Sequence, residues 1–231
     1  MIEPGVTFVQ LENELRKEGL RAFKPLLPRR SKSALASYLE REPMLVPKYH
    51  WDATDPLICV EVIFGTGDMF RTGSAAGPGT IEEQIKAGMR QVNPAGPGLT
   101  SLSRVVQGSQ GTLGIVTWAT VVCGVLPEAQ KTFYVTTDSI EPLITLTYEL
   151  LHRRIGEELF IVNGSLLAAM LGESPDEIAE LMDSLPPWTL VLNLTGYEYF
   201  PDERIEYQKA DADELAGAAQ LKLMPTLDGC A

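Results

Sequence analysis

From Phe8 the apolar positions Phe8, Leu11, Leu15 and Leu20 recur near helical spacing. Thr7 stands where an N-cap belongs and Gly19 where a helix stops, so a short amphipathic helix is predicted after the turn residues Glu3-Pro4-Gly5. Residues 24–50 hold Pro25, Pro28, Pro43 and Pro47 and read as irregular, with the small-residue segment SKSALAS at 31–37 between the prolines. A compact domain tolerates such a stretch mainly where it lines something. The apolar run at 57–64, the turn Gly65-Thr66-Gly67-Asp68 and the resumption at 69–72 predict an antiparallel hairpin. Glycine and proline then dominate 73–100 around a helical patch at 81–90. Residues 102–107 predict a helix ending at Gly108, and 114–122, β-branched at most positions, predict a strand.

After Pro127 the pattern becomes a regular alternation. Strands are predicted at 132–137, 159–162 and 188–195, and helices at 140–154, 165–171, 176–184 and 202–219. A domain boundary follows, with one domain over 1–127 and a second over 128–231. The second reads as an α+β layer, helices lying on one face of a small sheet. No repeat of fixed period is present.

Composition narrows the function classes. The chain has 231 residues, 45% of them apolar, enough for a sizeable core. Its formal charge is −12, so it lacks the basic footprint of a nucleic-acid binder, and an anionic membrane surface would repel it. No run approaches the roughly 18 apolar residues of a spanning helix, and the first residues have neither the basic nor the apolar region of a signal peptide. The sequence reads as that of a soluble, cytoplasmic protein. Cys59, Cys123 and Cys230 are odd in number, far apart and in no CxxC pair, so they read as ordinary thiols.

Hydrolytic and metal chemistry find little support. His50 and His152 are the only histidines, and His152 sits beside Arg153 and Arg154 on what reads as a solvated helix face. HExxH, GxSxG and Walker motifs are absent. The glycines of GSQGTLG at 108–114 are spaced three apart but precede a strand, where a dinucleotide fingerprint needs a helix. Two readings of this loop stay open on the residues alone. Gly108, Gly111 and Gly114 let backbone approach a flat or phosphorylated ligand, or they make a tight turn before a core strand.

GSQGTLGIVT at 108–117 resembles the GSEGTLGIIT motif of FAD-linked oxidases of the vanillyl-alcohol oxidase and para-cresol methylhydroxylase family, which includes glycolate and D-lactate dehydrogenases. Other stretches agree in the same order. IEPGVT at 2–7 is similar to the family's VEPGVT and its following helix, EVIFGTG at 61–67 and RTG at 71–73 to its hairpin, and Leu39-Glu40-Arg41 with Pro47 to a stretch of the phenol-oxidising branch. The resemblance implies the second FAD subdomain of that fold, followed by part of an antiparallel-sheet cap domain.

It further implies FAD as cofactor. Ser33, Ala36 and Ser37 would lie along the pyrophosphate or flavin, and Gly108, Gly111, Gly114, Ile115 and Val116 would offer it backbone contacts. Ala36, Glu42 and Met44 stand where the family usually has glycine, and a carboxylate near a phosphate would repel it. The expected activity is an FAD-dependent oxidoreductase step, hydride removal from a small-molecule alcohol, hydroxy acid or phenol; the alternative is a non-catalytic subunit that keeps the fold and serves assembly. The matched residues correspond to the middle of a family member, so a partner chain or a homo-oligomer is expected to complete it, unless the reading frame is cut short. No catalytic base is assigned, since Tyr197, Glu198, Tyr199 and Arg153 read as structural or surface residues.

Overall fold

Thr7 opens the first helix through a full capping box: its side chain accepts from the Gln10 amide, and the Gln10 side chain accepts from the Thr7 amide at 3.0 Å. This computed structural model describes residues 1–29, 31–44, 55–73, 81–86 and 102–227. His50, Pro47, Cys230 and most of the expected 73–100 loop lie outside them. Contacts divide the chain into two units that part between Leu126 and Pro127.

In the first unit, helix α1 (Phe8–Lys17) is followed by a short strand β1 (Leu20–Ala22), helix α2 (Ala34–Leu39), the hairpin β2 (Leu57–Phe64) and β3 (Met69–Arg71), helices α3 (Ile81–Lys86) and α4 (Ser103–Val106), and strands β4 (Gly114–Val121) and β5 (Cys123–Val125). The helical periodicity reaching Leu20 breaks at Gly19, whose φ of +67° turns the chain into β1. β1 pairs antiparallel with β5, and β2 is central in an antiparallel sheet ordered β3-β2-β4. The 24–50 stretch, expected to be irregular, contains α2: Ser33 occupies its N-cap and Ala34, Leu35 and Ala36 are sound helix formers. The core packs Phe8 and Leu11 of α1 and Leu35 and Tyr38 of α2 on Val60 and Val62 of β2 and on Val116 and Ala119 of β4. Phe8 meets Tyr38 edge-on at 5.6 Å, and the Tyr38 hydroxyl donates to the Phe23 carbonyl at 2.9 Å.

The opposite face of that sheet holds a charged pair. Arg71 Nε donates to Glu61 Oε2 at 2.6 Å and the Thr117 hydroxyl donates to Glu61 Oε1 at 2.6 Å, all on neighbouring strands. Burial disfavours the charged Glu61, but these hydrogen bonds outweigh it and hold the carboxyl below its ordinary value.

The second unit runs β6 (Ala129–Thr137), α5 (Glu141–His152), β7 (Glu158–Asn163), α6 (Gly164–Leu171), α7 (Pro175–Ser184), β8 (Trp188–Gly196) and α8 (Pro201–Ala218). The sheet order is β6-β8-β7 with β8 antiparallel to both neighbours, so β6 and β7 run the same way and leave a slot that β8 fills. One face carries Phe133, Val135, Leu159, Leu190, Leu192 and Leu194 under α5 and α8. Helices were expected on one face alone. The other face is covered as well, Phe160 and Val162 packing with Leu167, Ala168 and Leu181 of α6 and α7. The reason is visible in β7, whose consecutive Leu159-Phe160-Ile161-Val162 is apolar towards both sides.

Candidate functional site

Two segments some seventy residues apart build a cleft in the first unit. Helix α2 ends at Leu39 with Glu40 as its C-cap, after which Arg41 takes a left-handed φ of +57°. Its last carbonyls, which a helix leaves unpaired, are met by the second segment: Gly108 N–H donates to the Leu39 carbonyl at 2.8 Å, and the Gln107 carboxamide donates to the Tyr38 carbonyl at 3.3 Å and to Asp55 Oδ2 at 2.9 Å. The glycine loop is thereby fastened to the end of α2. The cleft between them holds about 430 Å3, within the range of small-molecule sites.

Of the residues singled out in the sequence, Ala36, Gly108, Gly111, Gly114 and Val116 line this cleft, together with Leu39, Glu40, Val106, Ser109 and Gln110. Ser33, Ser37 and Ile115 do not. The Ser33 hydroxyl accepts from Gly5 N–H at 3.2 Å, and Ala34 N–H donates to the Val6 carbonyl at 2.8 Å, so this segment is tied to the chain's opening turn. Ser37 is fully buried and its hydroxyl donates to the Glu42 carboxylate. Ile115 lies on the outward side of β4, 73% exposed.

The glycines serve different ends. Gly108 (φ +72°) and Gly111 (φ +79°) occupy left-handed conformations, and a Cβ on either would meet open space. Gly114 is required by the sheet: a Cβ there would stand 2.3 Å from the Ile63 carbonyl oxygen. The loop thus has a tight strand contact at one end and an open concavity at the other. Gln110 (φ +52°) precedes Gly111, and the N–H groups of these two residues donate no hydrogen bond among the described residues.

The charge at the cleft disfavours an anionic group. Among the described residues Glu40 is the one charged residue lining the cleft, at the negative end of α2. Lys32 lies between Glu40 and Glu42, ion-paired to both, and the hydrogen bonds it donates to Glu40 and Glu42 raise its pKa. Glu42, the carboxylate expected to repel a phosphate, is spent on this internal cluster. Burial opposes its charge, but the bonds from Lys32 and Ser37 prevail and keep its carboxyl below the ordinary value. Sequence reading assigned Leu39, Glu40, Val106 and Gln107 no role at a site, although Leu39 and Glu40 belong to a matching stretch; the carboxamide of Gln107, beside the first loop glycine, was the available signal for the tether.

Solved structures share this architecture. A p-cresol methylhydroxylase with substrate bound superposes with a TM-score of 0.69 at 18% identity, over 96% of this chain and 44% of that one. The fold is that of p-cresol methylhydroxylase. The methylhydroxylase fold recurs in a 4-ethylphenol oxidase from Gulosibacter chungangensis in complex with isoeugenol (TM-score 0.68, 17% identity, 98% and 45% of the chains). It recurs also in an alkyldihydroxyacetonephosphate synthase (TM-score 0.65, 13% identity, 97% and 39%). The chain therefore spans less than half the length of these solved chains. No protein-family model and no curated protein sequence matches it. Among the described residues, no helix is long and apolar enough to cross a membrane.

Proposed function

We propose that this chain forms part of an FAD-dependent oxidoreductase acting on a small alcohol, hydroxy acid or phenol. The observation that carries the reading is the cleft between α2 and the glycine loop, on a fold shared with oxidases of phenolic compounds. When bound, FAD would supply the redox chemistry, accepting a hydride from the substrate carbon. The chain's own residues would do the holding. Ala36, Leu39, Val106 and Val116 offer a small, apolar wall against which a flat ring can lie, and the Gln110 and Gly111 N–H groups offer donors at the open end of the loop. With Glu40 as the one charged residue among the described lining residues, this cleft suits a ring of the cofactor better than its pyrophosphate.

The test is the visible spectrum of the purified chain titrated with FAD. A structured flavin band with quenched fluorescence, lost in Ala36→Phe while the far-ultraviolet circular dichroism stays unchanged, is the expected result. Free-flavin spectra at all ratios would overturn the assignment of a flavin site to this chain. A second reading, a subunit that keeps the fold for assembly, draws on the exposed row Met69, Ile63 and Ile115, which are cross-strand partners over β3-β2-β4. Flavin binding by the isolated chain would count against it.

A further inference from the structure

The turn joining β8 to α8 breaks three local rules at one place. Tyr199 and Phe200 are consecutive bulky residues with left-handed φ of 67° and 60°. Phe200 also occupies the N-cap of α8, a position that favours Ser, Thr, Asp or Asn. Both rings stand out of the fold, Tyr199 69% and Phe200 70% exposed, and Tyr207, two helical turns further along, is 77% exposed.

The conformation is held from beneath. A Cβ on Gly196 would lie 2.0 Å from the Pro201 carbonyl oxygen, so the turn sits hard on the strand end. Arg204 N–H donates to the Phe200 carbonyl at 3.1 Å, and the Gln208 carboxamide ties α8 back to the Thr195 carbonyl at 3.0 Å. Among the described residues the three rings belong to none of the core clusters of this unit, yet the backbone is constrained to present them. Such an unrepaid departure is the signature of a recognition surface.

The surrounding charge says what would be recognised. Glu198, Asp202 and Glu203 adjoin the rings in sequence, are exposed and outnumber the exposed Arg204 beside them; Asp202 also attracts Lys131, whose ion pair is with Glu206. Aromatic faces beside an excess of carboxylates attract ammonium and guanidinium groups. We propose that Tyr199, Phe200 and Tyr207, with Glu198, Asp202 and Glu203, form a docking surface for a lysine- and arginine-rich segment of another protein. A second copy of this chain is the poorer occupant, since it would bring the same acidic surface and a charge of −12.

The probe is a fluorescein-labelled peptide of alternating lysine, arginine and glycine, titrated with the full chain and followed by anisotropy at two salt concentrations. Saturable binding is expected, weakened at least about tenfold by Tyr199→Asn/Phe200→Gly/Tyr207→Ser, and comparably by Glu198→Gln/Asp202→Asn/Glu203→Gln. The glycine and asparagine suit the left-handed positions, and unchanged thermal unfolding would show that the fold is kept. Equal binding by the wild-type and aromatic variants would reduce the effect to net charge and overturn the proposal, as would absence of binding. Self-association of the wild-type chain that the aromatic variant abolishes would assign the surface to a second copy, and so overturn it too.

Discussion

The carbonyl oxygen of Ile63 lies 2.3 Å from where a Cβ on Gly114 would stand, so the two strands β2 and β4 approach at a point that only glycine permits. Gly114→Ala should therefore cost about 3 kcal/mol or more, because backbone rather than a flexible side chain must move. Gly111→Ala meets open space and bears only the left-handed strain of its φ of +79°, about 1–2 kcal/mol. Urea unfolding of the two variants checks the order. Equal losses would mean that both glycines are simple turn residues.

Glu61 and Arg71 form a pair whose side chains are 11% and 15% exposed. Glu61→Leu should cost about 3 kcal/mol, because the carboxylate that both Arg71 and Thr117 bond is removed. The double variant Glu61→Leu/Arg71→Met should lose clearly less than the sum of the singles. A double-mutant cycle in denaturant measures the coupling.

The same carboxylate sets a pH dependence. Its folded-state pKa lies below the ordinary 4.5, so its stabilising contribution is complete above that value and is lost as pH falls through the depressed folded pKa. Unfolding midpoints followed from neutral pH into the acid range should drop below pH 4.5, and the drop should be shallower in Glu61→Gln.

Lys32→Met removes a hydrogen bond that keeps Glu42 ionised against its burial. The Glu42 carboxyl should then titrate at higher pH than in the parent, visible as a displaced carboxyl resonance in carbon-13 spectra. Its contribution to acid stability should shrink with it. An unmoved titration would show that Ser37 alone suffices.

Leu192, fully buried in the second unit, packs on the sheet face under α5 and α8. Leu192→Ala should cost roughly 2–5 kcal/mol. Calorimetric unfolding of the variant tests it.

Local chemistry made much of this fold legible. Thr7 announced α1, and Gly65-Thr66-Gly67-Asp68 announced the β2–β3 hairpin. The alternation after Pro127 gave β6 to α8 within a few residues at each end. What escaped depends on distance. β1 and β5 are three residues each and pair across a hundred positions, and α2 is six residues long, too short for periodicity to register. The second helical face could have been read from β7 and β8, where continuous runs such as Leu190-Val191-Leu192 leave no polar side. At the site, the glycines were conspicuous because of their spacing. Glu40 and Val106 were not, since nothing local says that the end of one short helix will meet a loop some seventy residues away.

The central place of β8 also governs when the second unit can come into being. β6 and β7 are not neighbours in the sheet; each forms its ladder with β8, the last of the three strands in sequence. During synthesis both would leave the ribosome with unpaired edges and wait for residues 188–196 before either could close its hydrogen bonds. That interval is when the nascent chain is most exposed to misassociation, and slowing translation between β7 and β8 should lower the soluble yield more than slowing it after α8.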